Sequence, residues 1–298
     1  IIHFVKSYYI FLKLNKFGKG FYMGGYITME TLNSINIPKR KEDSHKGDYG
    51  KILLIGGSAN LGGAIMLAAR ACVFSGSGLI TVATHPTNHS ALHSRCPEAM
   101  VIDINDTKML TKMIEMTDSI LIGPGLGVDF KGNNAITFLL QNIQPHQNLI
   151  VDGDAITIFS KLKPQLPTCR VIFTPHLKEW ERLSGIPIEE QTYERNREAV
   201  DRLGATVVLK KHGTEIFFKD EDFKLTIGSP AMATGGMGDT LAGMITSFVG
   251  QFDNLKEAVM SATYTHSFIG ENLAKDMYVV PPSRLINEIP YAMKQLES

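Results

Sequence analysis

The stretch ATGGMGDTLAG at residues 233–243 has the residue types needed for chemistry on a phosphate. Gly235, Gly236 and Gly238 precede Asp239, and the residues after Asp239 are typical of a helix. The first amides of a helix have no intrahelical acceptor and the helix dipole is positive there, so this stretch predicts a backbone anion site. Asp239 is then either a helix-start acid or the base that deprotonates a hydroxyl attacking phosphorus, and we favour the base.

The helix dipole also predicts a difficulty for Asp239. A positive helix terminus stabilises the carboxylate, so the sequence predicts a lowered pKa and a weak base. Position compensates for weak basicity, because proteins that transfer phosphoryl groups contribute mainly alignment and charge stabilisation. We therefore expect an aspartate that orients a hydroxyl and accepts its proton late in the reaction.

Short apolar runs that end in glycine or polar residues predict the strands behind this site. They occupy residues 51–57, 79–84, 119–125, 148–154, 170–176 and 206–213, with helix-like segments such as 61–78 between most of them. Continuously apolar strands that alternate with helices predict an α/β fold with a central, mostly parallel sheet covered on both faces. Residues 214–228 predict an antiparallel hairpin, and the chain after Asp239 predicts helices. The strand-end glycines are either tight turns or parts of one ligand site.

The glycine cluster GGSANLGGA at residues 56–64 resembles a phosphate-binding loop without its essential side chains. Gly57 and Gly62 have the right separation, but Gly63 and Ala64 stand where lysine and a hydroxyl residue are required. The GxGxxG dinucleotide fingerprint is absent as well. These glycines predict either room for a flat ligand at a helix start or close packing of a helix on a strand.

Composition restricts the class of protein. A chain of 298 residues that is 44% hydrophobic is long enough for one large α/β domain. Its 30 basic and 30 acidic residues give no excess charge to recruit nucleic acid or a membrane, so we expect small-molecule partners. Cys72, Cys96 and Cys169 lack disulfide or metal-site spacing, which favours a reducing cytoplasm.

The aromatic and basic first residues are predicted to lie apart from the domain. We expect residues 1–40 to be an N-terminal extension, partly disordered or upstream of a natural start at Met23 or Met29, with a membrane-surface helix as the alternative. The domain itself is predicted to occupy residues 41–298.

Six motifs together carry a family resemblance. In chain order they are HKGDYGKILLIGGS (45–58), GPGLG (123–127), VDGDAI (151–156), TPHLKE (174–179), VVLKKHGT (207–214) and GSPAMATGGMGDTLAG (228–243). This set resembles the ADP- or ATP-dependent NAD(P)H-hydrate dehydratases of the ribokinase-like superfamily. The resemblance implies a ribokinase-like three-layer α/β/α sandwich. It also implies repair of the S form of NADHX and NADPHX, the C6-hydrated cofactors, with ADP or ATP as co-substrate and Mg²⁺.

The resemblance assigns roles to individual residues. It implies that Asp239 acts on the C6 hydroxyl. It places the anion hole on Gly235, Gly236, Met237 and Gly238, substrate contacts on Ala64, Gly125, Gly127, His176 and Asp239, and nucleotide contacts on Lys210, Lys211, His212, Gly213, Thr214 and Gly238. From the residues alone, His176 is equally a loop histidine, and Lys210 and Lys211 are equally a solvated charge pair. Asp152 and Asp154 are interpreted either as magnesium positions, direct or through water, or as helix caps.

The sequence departs from the family pattern at two places. Lys211 and His212 stand where a small residue or glycine is common, so the charge around the nucleotide is expected to differ. Leu177 and Lys178 stand where a small residue usually precedes the glutamate, which leaves the role of Glu179 open.

Two other functions remain compatible with these motifs. A small-alcohol kinase of the hydroxyethylthiazole or hydroxymethylpyrimidine type would use the same anion hole and aspartate, and a nucleotide-binding sensor would use the site without turnover. The epimerase domain fused to many relatives is too large for residues 1–40, so a separate NAD(P)H-hydrate epimerase is expected. The resemblance also implies a homotetramer.

Overall fold

A computed structural model describes residues 28–298, and the predictions on residues 1–27, including a start at Met23, lie outside this range. Within it the strands are β1 (Met29–Leu32), β2 (Lys51–Ile55), β3 (Leu79–Thr84), β4 (Met100–Asp103), β5 (Ser119–Ile122), β6 (Asn148–Val151), β7 (Arg170–Phe173), β8 (Thr206–Leu209), β9 (Glu215–Phe217) and β10 (Asp222–Leu225). The helices are α1 (Gly62–Phe74), α2 (His89–Arg95), α3 (Thr107–Met116), α4 (Phe130–Asn142), α5 (Asp154–Leu162), α6 (Leu177–Ser184), α7 (Tyr193–Leu203), α8 (Met237–Gln251), α9 (Leu255–Leu273) and α10 (Pro282–Gln295).

The described strands form one sheet in the order β1-β10-β9-β8-β7-β6-β5-β2-β3-β4. Neighbouring strands are parallel except where β9 pairs with β8 and with β10. The predicted parallel sheet, the hairpin at 214–228 and the helical final third are confirmed. Strands β1 and β4 were not predicted, because these outermost strands keep several side chains exposed or half-buried and lack a continuous apolar run.

Each central strand packs on both faces. Along β2, Ile52 and Leu54 contact the layer made by α1, α2, α8, α9 and α10. Leu53 and Ile55 contact the opposite layer, made by α3 to α7. Successive side chains of a strand point to opposite faces, so a strand buried on both sides has no polar alternation. The predicted three-layer α/β/α sandwich is confirmed.

The folded unit begins earlier than the predicted boundary at residue 41. Strand β1 pairs in parallel with β10. Leu32 and Ile37 are buried, and the Ile37 amide donates to the Leu296 carbonyl oxygen at 3.1 Å. Residues 29–37 of the predicted extension therefore belong to the sheet domain. A search of the described helices finds no span with the length and hydropathy required to cross a membrane.

Candidate active site

The carboxyl ends of five neighbouring strands bring the sequence motifs to one edge of the sheet. In spatial order these strands are β8, β7, β6, β5 and β2. The residues that follow them are Lys210, Thr174, Asp152, Gly123 and Gly56, respectively. Parallel strands place their carboxyl ends at the same edge, so motifs distant in sequence become neighbours here.

The GPGLG loop is glycine-rich for a packing reason. Gly123 has φ of 128°, and a Cβ at this position would overlap the carbonyl oxygen of Asp152. Gly125 has φ of 60°, and its Cβ would overlap the carbonyl oxygen of Leu61. These glycines were interpreted either as tight turns or as parts of a ligand site. The two interpretations are compatible, since the tight packing of the backbone shapes the cleft beside the loop.

Helix α8 begins in the glycine-rich stretch of the sequence motif. Gly236 precedes its first residue with φ of 92°, a left-handed conformation that costs any other L-residue about 1–2 kcal/mol. A Cβ at Gly236 would also collide with the side chain of Leu67 on α1. Glycine is therefore required here by both the backbone conformation and the packing of the turn on α1.

The predicted anion hole has three free amides. Within residues 28–298, the amides of Gly235, Gly236 and Gly238 donate no hydrogen bond, whereas the Met237 amide reaches the Thr234 carbonyl oxygen at 3.4 Å. The Met237 side chain is buried in the core. The turn thus presents donors from its glycines at the positive end of α8, while Met237 mainly anchors the turn.

A cleft of about 480 Å³ opens beside this turn. Its lining residues are Asn60, Leu61, Gly63, Ala64, Gly125, Gly153, Asp154 and Asp239. The structure therefore brings together three of the predicted substrate residues, Ala64, Gly125 and Asp239. The other five lining residues were not predicted as substrate contacts, although all of them lie within the two glycine-containing stretches GGSANLGGA and VDGDAI.

Asp239 lies in the first turn of α8 and is mostly removed from solvent. Burial, and next the charge of Asp152, raises the pKa of Asp239 to about 6, while Lys210 acts in the opposite direction. The predicted lowering of this pKa is wrong, because the loss of hydration of the carboxylate outweighs the helix dipole. A carboxylate with a pKa near 6 remains ionised at neutral pH and is a better proton acceptor than an ordinary aspartate.

Lys210 enters the centre of the site instead of the solvent. Its Nζ donates to Asp152 Oδ1 at 2.7 Å, and the same oxygen accepts from Thr174 Oγ1 at 2.7 Å. Burial by itself lowers the pKa of Lys210, but the nearby carboxylates, above all that of Asp152, give a net increase. An ideal Cβ on Gly238 would lie 3.0 Å from Lys210 Nζ, so the ammonium group adjoins the anion hole.

The rest of the predicted nucleotide run forms the turn between β8 and β9. Lys211 Nζ pairs with Glu215 Oε1 at 2.6 Å, and His212 is exposed. Gly213 adopts φ of 68°, and Thr214 Oγ1 donates to the Lys211 carbonyl oxygen at 3.3 Å. Neither lysine of this run is a freely solvated charge, since Lys210 and Lys211 both pair with buried carboxylates.

His176 is the N-cap of α6, and Glu179 completes its capping box. The His176 Nδ1 accepts from the amides of Lys178 and Glu179, so its ring proton lies on Nε2, 3.5 Å from Glu179 Oε1. Burial is the first cause that lowers the pKa of His176 and raises that of Glu179 to about 7. His176 adjoins Lys210 through a parallel bridge and does not line the cleft around Asp239.

The two aspartates of VDGDAI have different partners. Asp152 is committed to its ion pair with Lys210. Asp154 is the first residue of α5, lines the cleft, and its Oδ2 accepts from the Gly127 amide at 2.8 Å. No group of three or more His, Cys, Asp or Glu side chains within residues 28–298 is arranged to hold a metal ion. Of the two aspartates predicted as magnesium positions, Asp152 is therefore paired with Lys210 and Asp154 lies in the cleft with Asp239, and the magnesium position stays a prediction.

Comparison with known proteins agrees with this geometry. A family profile described as NAD(P)H-hydrate dehydratase matches residues 52–291. The chain is 46% identical to an ADP-dependent (S)-NAD(P)H-hydrate dehydratase of Enterococcus faecalis, with 91% of this chain and 93% of the relative covered. It is 48% identical to the protein of the same name in Lactiplantibacillus plantarum, over 90% and 96%.

A solved structure shares the architecture. The ADP/ATP-dependent NAD(P)H-hydrate dehydratase of Bacillus subtilis, co-crystallised with ATP and Mg²⁺, superposes with a TM-score of 0.79 at 29% identity, covering 88% of this chain and 95% of that chain. The resemblance drawn from the six sequence motifs is thereby confirmed. Because the family profile spans most of its length, this chain belongs to the NAD(P)H-hydrate dehydratase family.

Proposed function

We propose that this protein dehydrates the S form of NADHX and NADPHX to NADH and NADPH, with ADP as the co-substrate. The observation that carries the proposal is the placement of Asp239, with a pKa of about 6, in a cleft beside the free glycine amides of the α8 turn. Two relatives that match this chain over nearly the full length of both proteins carry the name of this ADP-dependent reaction. ATP remains a second candidate, because the Bacillus subtilis relative is named for both nucleotides.

The first step of the proposed reaction is phosphoryl transfer to the substrate. Asp239 takes the proton of the C6 hydroxyl as this oxygen attacks the terminal phosphorus, and the phosphorus bond to the departing AMP or ADP breaks. The amides of Gly235, Gly236 and Gly238 donate to the equatorial oxygens of the transferred group, and Lys210 adds positive charge at the same place. Preorganised donors of this kind stabilise the charge that develops in the transition state.

The second step removes phosphate. The C6–O bond breaks with its electron pair going to the phosphate, and C5 gives its proton to water, so the electrons of the C5–H bond restore the double bond between C5 and C6. A phosphate leaves more readily than hydroxide, which explains why a nucleotide drives a dehydration. Because Asp239 approaches C6 from one side, only one epimer is a substrate, and a separate epimerase would have to supply it from the other.

Magnesium enters this proposal with the nucleotide. Mg²⁺ in nucleotide sites is typically held by one or two carboxylates and by substrate phosphates. Asp154 lines the cleft next to the proposed phosphate position and fits this pattern, whereas Asp152 is paired with Lys210. When bound, the ion would neutralise charge on the transferred phosphoryl group.

The nucleotide is proposed to contact Lys210, Lys211, His212, Gly213, Thr214 and Gly238, and the substrate to contact Ala64, Gly125, Gly127 and His176. A homotetramer in the cytoplasm completes the proposal. The free, buried thiols of Cys72, Cys96 and Cys169 are consistent with a reducing compartment.

The decisive experiment supplies the purified protein with enzymatically hydrated NADH, Mg²⁺ and either ADP or ATP. Return of NADH absorbance with stoichiometric release of phosphate supports the dehydratase, and the faster nucleotide identifies the co-substrate. Accumulation of a stable phosphoester of a small alcohol would instead support the kinase alternative. Tight nucleotide binding without turnover of any of these substrates would support the sensor.

A further inference from the structure

A buried histidine on α9 lies against the glycine turn of the proposed anion hole. His266 is 5% exposed, and its Nε2 has no hydrogen-bond partner among residues 28–298. Burial is the first cause that lowers the pKa of His266 to about 4, and the charge of Lys210 acts in the same direction. The ring is therefore neutral at physiological pH and carries a proton on only one of its nitrogens. The proposed chemistry at Asp239 does not use this ring.

The main chain of Met237 is the hydrogen-bond partner of the His266 ring. This hydrogen bond raises the pKa of His266, which is the effect of an acceptor, because an acceptor favours the protonated ring. The acceptor in the main chain of Met237 is its carbonyl oxygen, which has a second lone pair beside the one used within a helix. Since Nε2 has no partner in the described part of the chain, the donated proton belongs to Nδ1.

The peptide unit that contains this carbonyl also contains an amide of the proposed anion hole. The Met237 carbonyl and the Gly238 amide belong to one planar trans unit, so they point in opposite directions. An ideal Cβ on Gly238 would lie 3.0 Å from Lys210 Nζ, so this amide is next to the ammonium group. A carbonyl that His266 holds inward therefore keeps the Gly238 N–H directed outward, towards the place proposed for the phosphoryl group.

Helix α9 contacts the same turn at a second position. Gly270 lies four residues after His266 and therefore on the same face of α9. A Cβ at Gly270 would overlap Met232 Sδ, so α9 closely approaches the 3₁₀ turn that ends at Met232. One face of α9 thus contacts the chain on both sides of the glycines, at Met232 before them and at Met237 after them.

A glycine-rich turn needs such support if its donors are to stay in place. Glycine populates both signs of φ, so the peptide units beside a glycine rotate more easily than others. Rotation of the unit between Met237 and Gly238 by half a turn would present a carbonyl oxygen to the phosphoryl group in place of a donor. Preorganised donors stabilise developing charge because they need no reorientation during the reaction.

We propose that His266 is a positioning residue, which holds the Met237 carbonyl through Nδ1 and thereby keeps the Gly238 amide directed at the transferred phosphoryl group. This inference rests on the proposed function, in which that amide binds the phosphoryl group. The ring itself does not touch the substrate, and it acts only through the peptide unit. A histidine that merely fills space between α8 and α9 would have no such effect.

The position of the ring proton can be measured in the unmodified protein. Nitrogen-15 NMR that correlates the ring nitrogens with the carbon-bound ring protons distinguishes the two neutral tautomers of a histidine. The chain has nine histidines, and the signals that disappear in His266→Asn identify those of His266. At neutral pH we expect the proton on Nδ1. A proton on Nε2 would overturn the inference, because Nδ1 would then have no proton to donate to Met237.

A matched pair of variants tests the consequence for binding. Asparagine places an N–H at the position of Nδ1, and leucine has the same branched shape without a donor. In His266→Leu we expect the co-substrate, ADP or the faster ATP, to bind roughly tenfold more weakly, the order for one hydrogen bond to a charged group. The product nucleotide, which lacks the transferred phosphoryl group, should bind as before. His266→Asn should restore most of the affinity for the co-substrate.

Calorimetry measures these affinities, and thermal melting checks that each variant is folded. If His266→Leu does not fold, His266→Gln takes its place with the same expected result, because its N–H lies near the position of Nε2. Equal weakening of both nucleotides would overturn the inference and leave the proposed function in place. The same conclusion would follow if His266→Asn bound the co-substrate as weakly as His266→Leu.

Turnover separates this inference from the proposed function. In His266→Leu, kcat should fall about tenfold, while the KM for hydrated NADH and the pKa of about 6 in the pH profile stay unchanged, because Asp239 is intact. An unchanged kcat would overturn the inference. No turnover of hydrated NADH by the unmodified protein, together with selective weakening of the co-substrate in His266→Leu, would overturn the proposed function and support His266 as a positioning residue of the anion hole.

Discussion

Replacement of Asp239 by asparagine is expected to abolish turnover and to stabilise the protein at the same time. In the folded protein the pKa of Asp239 is about 6, against an ordinary value of 3.8. A difference of about two pKa units, at about 1.36 kcal/mol per unit, corresponds to about 3 kcal/mol. The folded state binds this proton more tightly than the unfolded state, so stability is lost as pH rises from 3.8 through 6.

The asparagine in Asp239→Asn cannot ionise, so this variant does not lose free energy of unfolding as the pH rises. At pH 8 it should exceed the unmodified protein in free energy of unfolding by up to about 3 kcal/mol, and at pH 4.5 by only about 1 kcal/mol. Its turnover of hydrated NADH should fall by at least ~10², since a general base is worth about 10² to 10⁴. The unmodified protein should lose kcat/KM about tenfold per pH unit below pH 6, as the base becomes protonated.

The measurements are urea unfolding at both pH values and the NADH absorbance assay between pH 5 and 8. Asp253→Asn is the matched control, because Asp253 is an exposed aspartate between α8 and α9. This control should change neither stability nor turnover. Near-normal activity of Asp239→Asn, or an equal stability change at both pH values, would refute the reasoning that burial tunes a catalytic carboxylate.

Three further predictions concern the support of the site. Gly236→Ala should lower stability by about 1–2 kcal/mol or more and weaken nucleotide binding, as measured by thermal melting and calorimetry, because Gly236 has φ of 92°. Lys210→Met should cost about 3–5 kcal/mol by leaving the Asp152 carboxylate buried and unpaired, and adding Asp152→Asn should recover part of that loss in urea unfolding; full additivity would contradict the ion pair. His176→Asn keeps a residue suited to the N-cap of α6, so the melting temperature should change little while the KM for hydrated NADH rises. A lower melting temperature with an unchanged KM would show that His176 acts only as a helix cap.

The central elements follow from sequence because their signals are local. Strands such as KILLI and SILI are continuous apolar runs that end at glycine, and the pattern requires burial on both faces. The edge strand METL has no continuous apolar run, because its middle residues are exposed. Only its pairing with β10 identifies it as a strand. For the same reason the start of the domain was predicted at residue 41, after strand β1.

The residues of the site divide in the same way. The free amides before α8 are a property of contiguous residues, so ATGGMGDTLAG by itself determined a helix start with unpaired glycine amides and Asp239 in its first turn. The pKa of Asp239 and the ion pair between Lys210 and Asp152 depend on burial and on charges far apart in the chain. Desolvation and charge pairing exist only once the strands are ordered side by side, and for that reason only the tertiary structure decided them.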